Sequence, residues 1–182
     1  MGMTGLQIVL DNIRPSFEYN VQFVEKYLVG TGLDMGCGNC PLLKPNCLHF
    51  DISPQPLAVE QVGDYFIRAD TTKPFIPQEP SNADYIFSSH MIEDLPTKEA
   101  IIECLLMWVT YLRPGGFIVL LLPNMQGGLY PTVEEGGNPS HRVNVGVEFI
   151  ESILPKLKGL KLIQMDTIPH DKNCTLDVVF KK

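Results

Sequence analysis

The sequence predicts an α/β fold: a mainly parallel sheet with helices on both faces and an antiparallel last strand. Three observations carry that reading. Short apolar strands alternate with helix-like stretches along the chain, which implies right-handed crossovers. One apolar run, Phe117–Leu122, is continuous rather than alternating, as in a strand covered on both faces. The last two strands are separated by only a few residues, too short for a crossover.

The elements follow in order. Val21, Val24 and Leu28 lie at helical spacing within Phe17–Leu28, and Gly30 and Gly32 stop that helix. Gly32–Met35 is a short strand running into a glycine loop. Cys47–Asp51, Tyr65–Arg68 and Asp84–Ser88 are three further strands, the first ending in an acid and the second two residues before one. Thr97 caps the strongest helix, whose stripe Ile101, Leu105, Trp108 and Leu112 is flanked by Ile102, Leu106 and Val109. Pro114-Gly115-Gly116 stops it, and Phe117–Leu122 follows as the fifth strand. The stretch 124–146 contains two Gly-Gly pairs and two prolines, and reads as a long loop. A helix over Val147–Leu157, ended or kinked at Pro155, leads to the strands Leu160–Ile168 and Cys174–Phe180. Seven strands in this arrangement make a Rossmann-like sheet, and the length of 182 residues suits one domain spanning 1–182.

Composition narrows the function. The chain is 45% hydrophobic and 19% charged, enough apolar content for a packed core and unlike a disordered acidic chain. Lys and Arg total 14 against 21 Asp and Glu, a formal charge of −7, and no basic run stands out. A nucleic-acid partner is therefore not expected. The longest apolar stretches fall well short of the roughly 20 residues that cross a bilayer, so no membrane partner is expected either. Five cysteines, an odd count without a secretory start, fit a reduced cytoplasmic protein.

The chemistry concentrates where strands end. Asp34-Met-Gly-Cys-Gly38 follows the first strand directly, where such sheets bind nucleotide-like ligands and glycine lets the backbone come close. Asp51 stands 17 positions after Asp34, near the spacing at which an acid accepts from ribose hydroxyls. Asp70 closes the third strand and is placed to meet an adenine. Cys37, Cys40, Cys47 and His49 have a metal-like spacing. Cys37 lies inside the glycine loop, however, and Cys47 and His49 lie on a buried strand, so a metal is not expected.

Together these residues carry a resemblance. Gly32-Leu-Asp-Met-Gly-Cys-Gly38, His49-Phe-Asp51, Ala69-Asp70, Asp84–Leu95 and Leu112–Val119 resemble, in order, five motifs of the class I S-adenosylmethionine-dependent methyltransferases. Asn138-Pro-Ser-His141 is similar to a stretch preceding a late helix in some members. The chain departs from the family where Asn39-Cys40-Pro41 replaces a third glycine, which leaves the next helix short or absent. It departs again where Asp94 stands in place of the second histidine of His-x-x-Glu-His.

The resemblance implies S-adenosylmethionine as cofactor and a small-molecule acceptor. It places Asp34, Gly36, Cys37, Gly38, Asp51, Ile52, Asp70, Thr71, Ser88 and Ser89 around the cofactor. His90 is the candidate general base, with a structural bond to Glu93 as its competing role. His141 and Arg142 are candidates to receive an acceptor's carboxylate or phosphate, and 124–146 is a candidate lid. Two other readings remain open at this level. One is a cofactor-binding partner subunit without turnover; the other is a nicotinamide-dependent dehydrogenase, which the missing Gly-x-Gly-x-x-Gly disfavours.

Overall fold

The computed structural model describes residues 5–53, 56–74, 82–125, 130–168 and 175–182. The chain begins with helix α1, Gly5–Gln22, which extends twelve residues upstream of the expected start and carries Pro15 inside it. A 3-10 turn at Glu25–Tyr27 ends this segment. Strand β1 is Gly32–Met35, β2 is Cys47–Asp51, helix α2 is Pro56–Val62, and β3 is Phe66–Arg68. Strand β4 is Ala83–Ser89, helix α3 is Lys98–Tyr111, and β5 is Leu112–Pro123. Helix α4 is Val147–Ile153, followed by a 3-10 turn at Leu154–Lys156 that takes up Pro155. Strands β6, Lys161–Ile168, and β7, Thr175–Lys181, close the chain.

The seven strands are ordered β3-β2-β1-β4-β5-β7-β6. The five from β3 to β5 run parallel, and β7 runs antiparallel to both β5 and β6. The expected sheet is therefore present, antiparallel last strand included. The expected turn Pro169–Asn173 and the start of the last strand at Cys174 lie outside the described residues. Helix α3 ends at Tyr111, before the Pro-Gly-Gly segment, and β5 begins at once. Pro114 is tolerated because it lies in the part of β5 where pairing with β4 shifts register.

The continuous apolar run of β5 is explained by its two neighbours. Ile118, Leu120 and Leu122 point to one face, where α3 and α4 pack Ile101, Leu105, Trp108 and Ile150. Val119 and Leu121 point to the other, against Val24, Leu28, Phe87 and the part-buried Phe17 and Val21. With both faces covered, alternation has no reason to appear. The Thr97 hydroxyl accepts from Ala100 N at 3.1 Å and starts α3 as expected. Among the described residues no helix is long and apolar enough to cross a membrane.

One buried contact ties α3 to the loop after β3. Trp108, with no exposed surface, donates its indole Nε1–H to the Thr71 carbonyl at 2.9 Å. Replacing Trp108 with Phe removes that bond and opens a void beside the sheet. Urea unfolding of Trp108→Phe should show a loss of about 2 to 3 kcal/mol with an unchanged m-value.

Candidate active site

The strand order reverses between β1 and β4, and a crevice opens at the carboxyl ends of these strands. A cavity of about 640 Å³ lies there, within the range of small-molecule sites. The glycine loop forms one wall with Gly36, Cys37 and Gly38. Ser89 and His90 close it from β4, and α1 covers it with Ser16, Phe17 and Asn20. Asp94, Asn138, Ser140 and Thr175 also line it.

The glycines do different work. Gly36 has φ of +71°, and a Cβ there would stand 2.5 Å from Met91 Cγ. Gly38 has φ of +52°, and a Cβ there would meet nothing within 4 Å. Gly36 is therefore needed for packing, whereas Gly38 faces open space where a ligand can approach the backbone. Gly36 N and Cys37 N both donate to the Phe50 carbonyl, at 2.8 and 3.1 Å, which bends the loop toward β2.

The acids are placed less uniformly than the motifs imply. Asp34 lines the cavity, yet it is 1% exposed and its Oδ2 accepts from Leu42 N at 2.8 Å and lies 2.9 Å from His49 Nδ1. Its first role is to pin the loop. No helix separates β1 from β2, as Pro41 implied. Asp51 is not one of the residues lining the cavity; it adjoins the glycine loop, accepting from Gly38 N at 2.9 Å and Ser53 N at 3.0 Å. A carboxylate offers about four acceptor positions, so two remain for further donors.

Asp70 and its neighbours lie outside the cavity wall. Asp70 accepts from the Thr72 hydroxyl at 2.6 Å and pairs with Lys73 at 2.9 Å; the Thr72 and Lys73 bonds hold its pKa below the usual carboxylate value. Ile52 is an exposed apolar side chain beside Asp51. Ser88 and Thr71, expected beside the cofactor, have buried side chains. Ser88 is buried and donates to the Met35 carbonyl at 2.8 Å, joining β4 to β1. Thr71 is buried, with its carbonyl engaged by Trp108. Neither side chain lines the cavity.

His90 does line it. Its backbone has φ of +51°, unusual for a residue with a side chain, and its N–H donates to the Leu121 carbonyl at 2.9 Å. Its Nδ1 stands 3.4 Å from Glu93 Oε1, and the ring is partly exposed. Glu93 itself is fully buried. On its other side lies His141, with Nε2 at 3.6 Å from the same oxygen.

His141, expected either to receive an acceptor's carboxylate or phosphate or to lie in a solvated loop, is not solvated. His141 is 3% exposed, does not line the cavity, and lies against the Tyr130 ring. Arg142 is exposed and likewise does not line it. The loop is partly anchored: Arg142 N and Val143 N donate to the Glu93 carbonyl, and Met125 N donates to Val145 O. The freely exposed part of the expected lid is therefore shorter than 124–146. Its Gly127-Gly128 pair lies outside the described residues.

Burial pushes the Cys37 thiol up and the Cys47 thiol up to about 12, with nearby Asp34 acting in the same direction. These are protonated, apolar side chains at neutral pH. Among the described residues no group of three His, Cys, Asp or Glu side chains converges on a metal position.

Sequence reasoning missed Asn20 and Thr175, and gave Ser16, Asp94, Asn138 and Ser140 no individual role at the cavity. Asn20 and Thr175 come from opposite ends of the chain, and no local pattern marks them. Asn20 Nδ2, for instance, donates to Thr175 Oγ1 at 3.0 Å across 155 positions.

No protein-family model matches the chain. No curated protein shows significant sequence similarity to it. Solved structures do match. An S-adenosylmethionine-dependent methyltransferase from Archaeoglobus fulgidus superposes with a TM-score of 0.74 at 17% identity, covering 98% of this chain and 100% of that one. The N-methyltransferase NodS of Bradyrhizobium japonicum, in complex with S-adenosyl-L-homocysteine, gives a TM-score of 0.68 at 18% identity, covering 95% and 90%. A methyltransferase from Clostridium acetobutylicum gives 0.66 at 12%, covering 90% and 89%. The chain has the class I S-adenosylmethionine-dependent methyltransferase fold.

The two glycines separate in a stability measurement. Gly38→Ala should cost about 1 kcal/mol, from left-handed strain alone. Gly36→Ala should cost at least about 2 kcal/mol, because Met91 must also move. Urea midpoints for the pair check this order.

Proposed function

We propose that the chain binds S-adenosylmethionine in the crevice between β1 and β4 and transfers its methyl group to a small-molecule acceptor. The observation that carries this reading is the open backbone at Gly38, one hydrogen bond from Asp51 and facing a cavity floored by Ser89 and His90. The donor set fits the cofactor. The two remaining acceptor positions of Asp51 suit ribose hydroxyls, exposed Ile52 offers an apolar surface for a purine, and Asp70 stands beyond it.

The cofactor supplies an electrophilic methyl on a positively charged sulfur. The protein's task is alignment and exclusion of water rather than strong acid–base chemistry. Gly36 and Gly38 hold the backbone low along the cavity wall. His90, fixed by its bond to Leu121 O and turned by Glu93, stands beside Ser89, where an acceptor would meet the methyl. The Phe17 side chain and the α1 face keep that end dry.

Calorimetric titration with S-adenosylmethionine, and separately S-adenosylhomocysteine, tests the pocket. One-to-one saturable binding is expected. Asp51→Ala and Gly38→Arg should each abolish it while thermal unfolding stays cooperative, because the first removes the ribose acceptor and the second fills the open space. Unchanged affinity in both folded variants would falsify the pocket. Binding without methyl release to any acceptor pool would leave a cofactor-binding subunit in place of the enzyme.

A further inference from the structure

The acceptor's chemistry is written on the far half of the cavity. Asn20 is 92% buried and donates through Nδ2 to Thr175, while its Oδ1 has no hydrogen-bond partner. A buried amide oxygen without a donor is destabilising, so a ligand N–H or O–H there would be favoured. Asp94 lines the same cavity, with Oδ1 taken by the Ser140 hydroxyl at 2.9 Å. Burial, with Glu93 nearby, raises its pKa, the condition that a cation arriving beside it relieves. Behind His90 lies fully buried Glu93, neither of whose oxygens has a hydrogen-bond partner within the protein.

The positive groups are elsewhere. Among the described residues no Lys or Arg lines the cavity. Arg14, the nearest on α1, stands over the Phe17 ring at 5.5 Å but is held by Glu18 at 3.0 Å and by the Pro41 carbonyl at 2.9 Å. The wall therefore offers acceptors and negative charge, together with the apolar Phe17 side chain. An anionic acceptor would find no counter-charge there and would face Asp94 and Asp34.

We infer that the acceptor is a small amine that arrives protonated, its N–H groups directed to Asn20 Oδ1 and Asp94. This deepens the proposed function and rests on it. With Nδ1 of His90 turned to Glu93, Nε2 is the ring nitrogen left to take a proton. The ammonium N–H proton passes to His90 Nε2, which frees the nitrogen lone pair. That pair forms the new N–C bond to the methyl as the C–S bond breaks, and the C–S electron pair stays on sulfur, cancelling its charge. The product is an N-methylammonium, and His90 returns its proton to solvent.

The test uses the full chain saturated with S-adenosylhomocysteine and matched probes of one skeleton: phenethylamine against 3-phenylpropionate, and putrescine against succinate. Calorimetry should show an amine of each pair binding at least about tenfold more tightly than its carboxylate. Asp94→Asn should weaken the amine about fivefold with S-adenosylhomocysteine affinity unchanged, and Asp94→Glu should restore most of it. Asn20→Asp, which keeps the acceptor oxygen and adds a charge, should strengthen it. Equal or better binding of the carboxylates, no amine binding by cofactor-loaded protein, or an amine affinity indifferent to Asp94→Asn each overturns the inference alone. Failure of S-adenosylhomocysteine itself to bind would instead remove the proposed function, and this inference with it.

Discussion

The site depends on one buried carboxylate. Asp34 is taken out of water at the end of β1, and a charge there is tolerable only if it is fully engaged. Leu42 N and His49 Nδ1 meet the same oxygen, one from the loop that follows and one from the neighbouring strand. The loop between β1 and β2 has no helix to hold it, so these two contacts replace the hydrogen-bond ladder that a helix would have supplied. Gly36 and Cys37 are drawn to Phe50, Gly38 is drawn to Asp51, and the open wall of the cavity results. Removing one partner would leave the other buried and unsatisfied, a larger loss than the net worth of either bond.

The sheet was legible in the sequence because its determinants are local. A continuous run at Phe117–Leu122 requires two covered faces, and short spacing between the last strands requires an antiparallel pair. Helix α1 was only half legible. Its visible stripe begins at Phe17, and Pro15, which deprives one turn of its backbone donor, reads as a boundary although the helix passes through it. Pro155 was absorbed in the same way, by a 3-10 turn that needs fewer of the α-helical bonds.

The site divides along the same line. Glycines and strand-end acids announce the loop after β1 because the backbone there must adopt conformations that few residues allow. The rest of the cavity is lined by side chains brought together by topology alone. Asn20 and Thr175 become neighbours because β7 inserts beside β5 and α1 crosses that face, and neither residue has a periodic signature. His141 illustrates the reverse error. Its glycine- and proline-rich surroundings suggest solvent, yet a buried carboxylate and the Tyr130 ring draw it inward.

Glu93 links the two halves. Its carboxylate faces His90 on the cavity side and His141 on the loop side, while its carbonyl receives Arg142 N and Val143 N. The next residue, Asp94, lies on the cavity wall and accepts from Ser140 of the same loop. A displacement of the Asn138–His141 segment therefore acts on two adjacent residues, one whose carboxylate stands 3.4 Å from the His90 ring and one on the cavity wall. Glu93 is wholly buried, and both histidine rings approach the same oxygen, at 3.4 and 3.6 Å. The position of this loop therefore bears on the Glu93 carboxylate that stands beside the His90 ring.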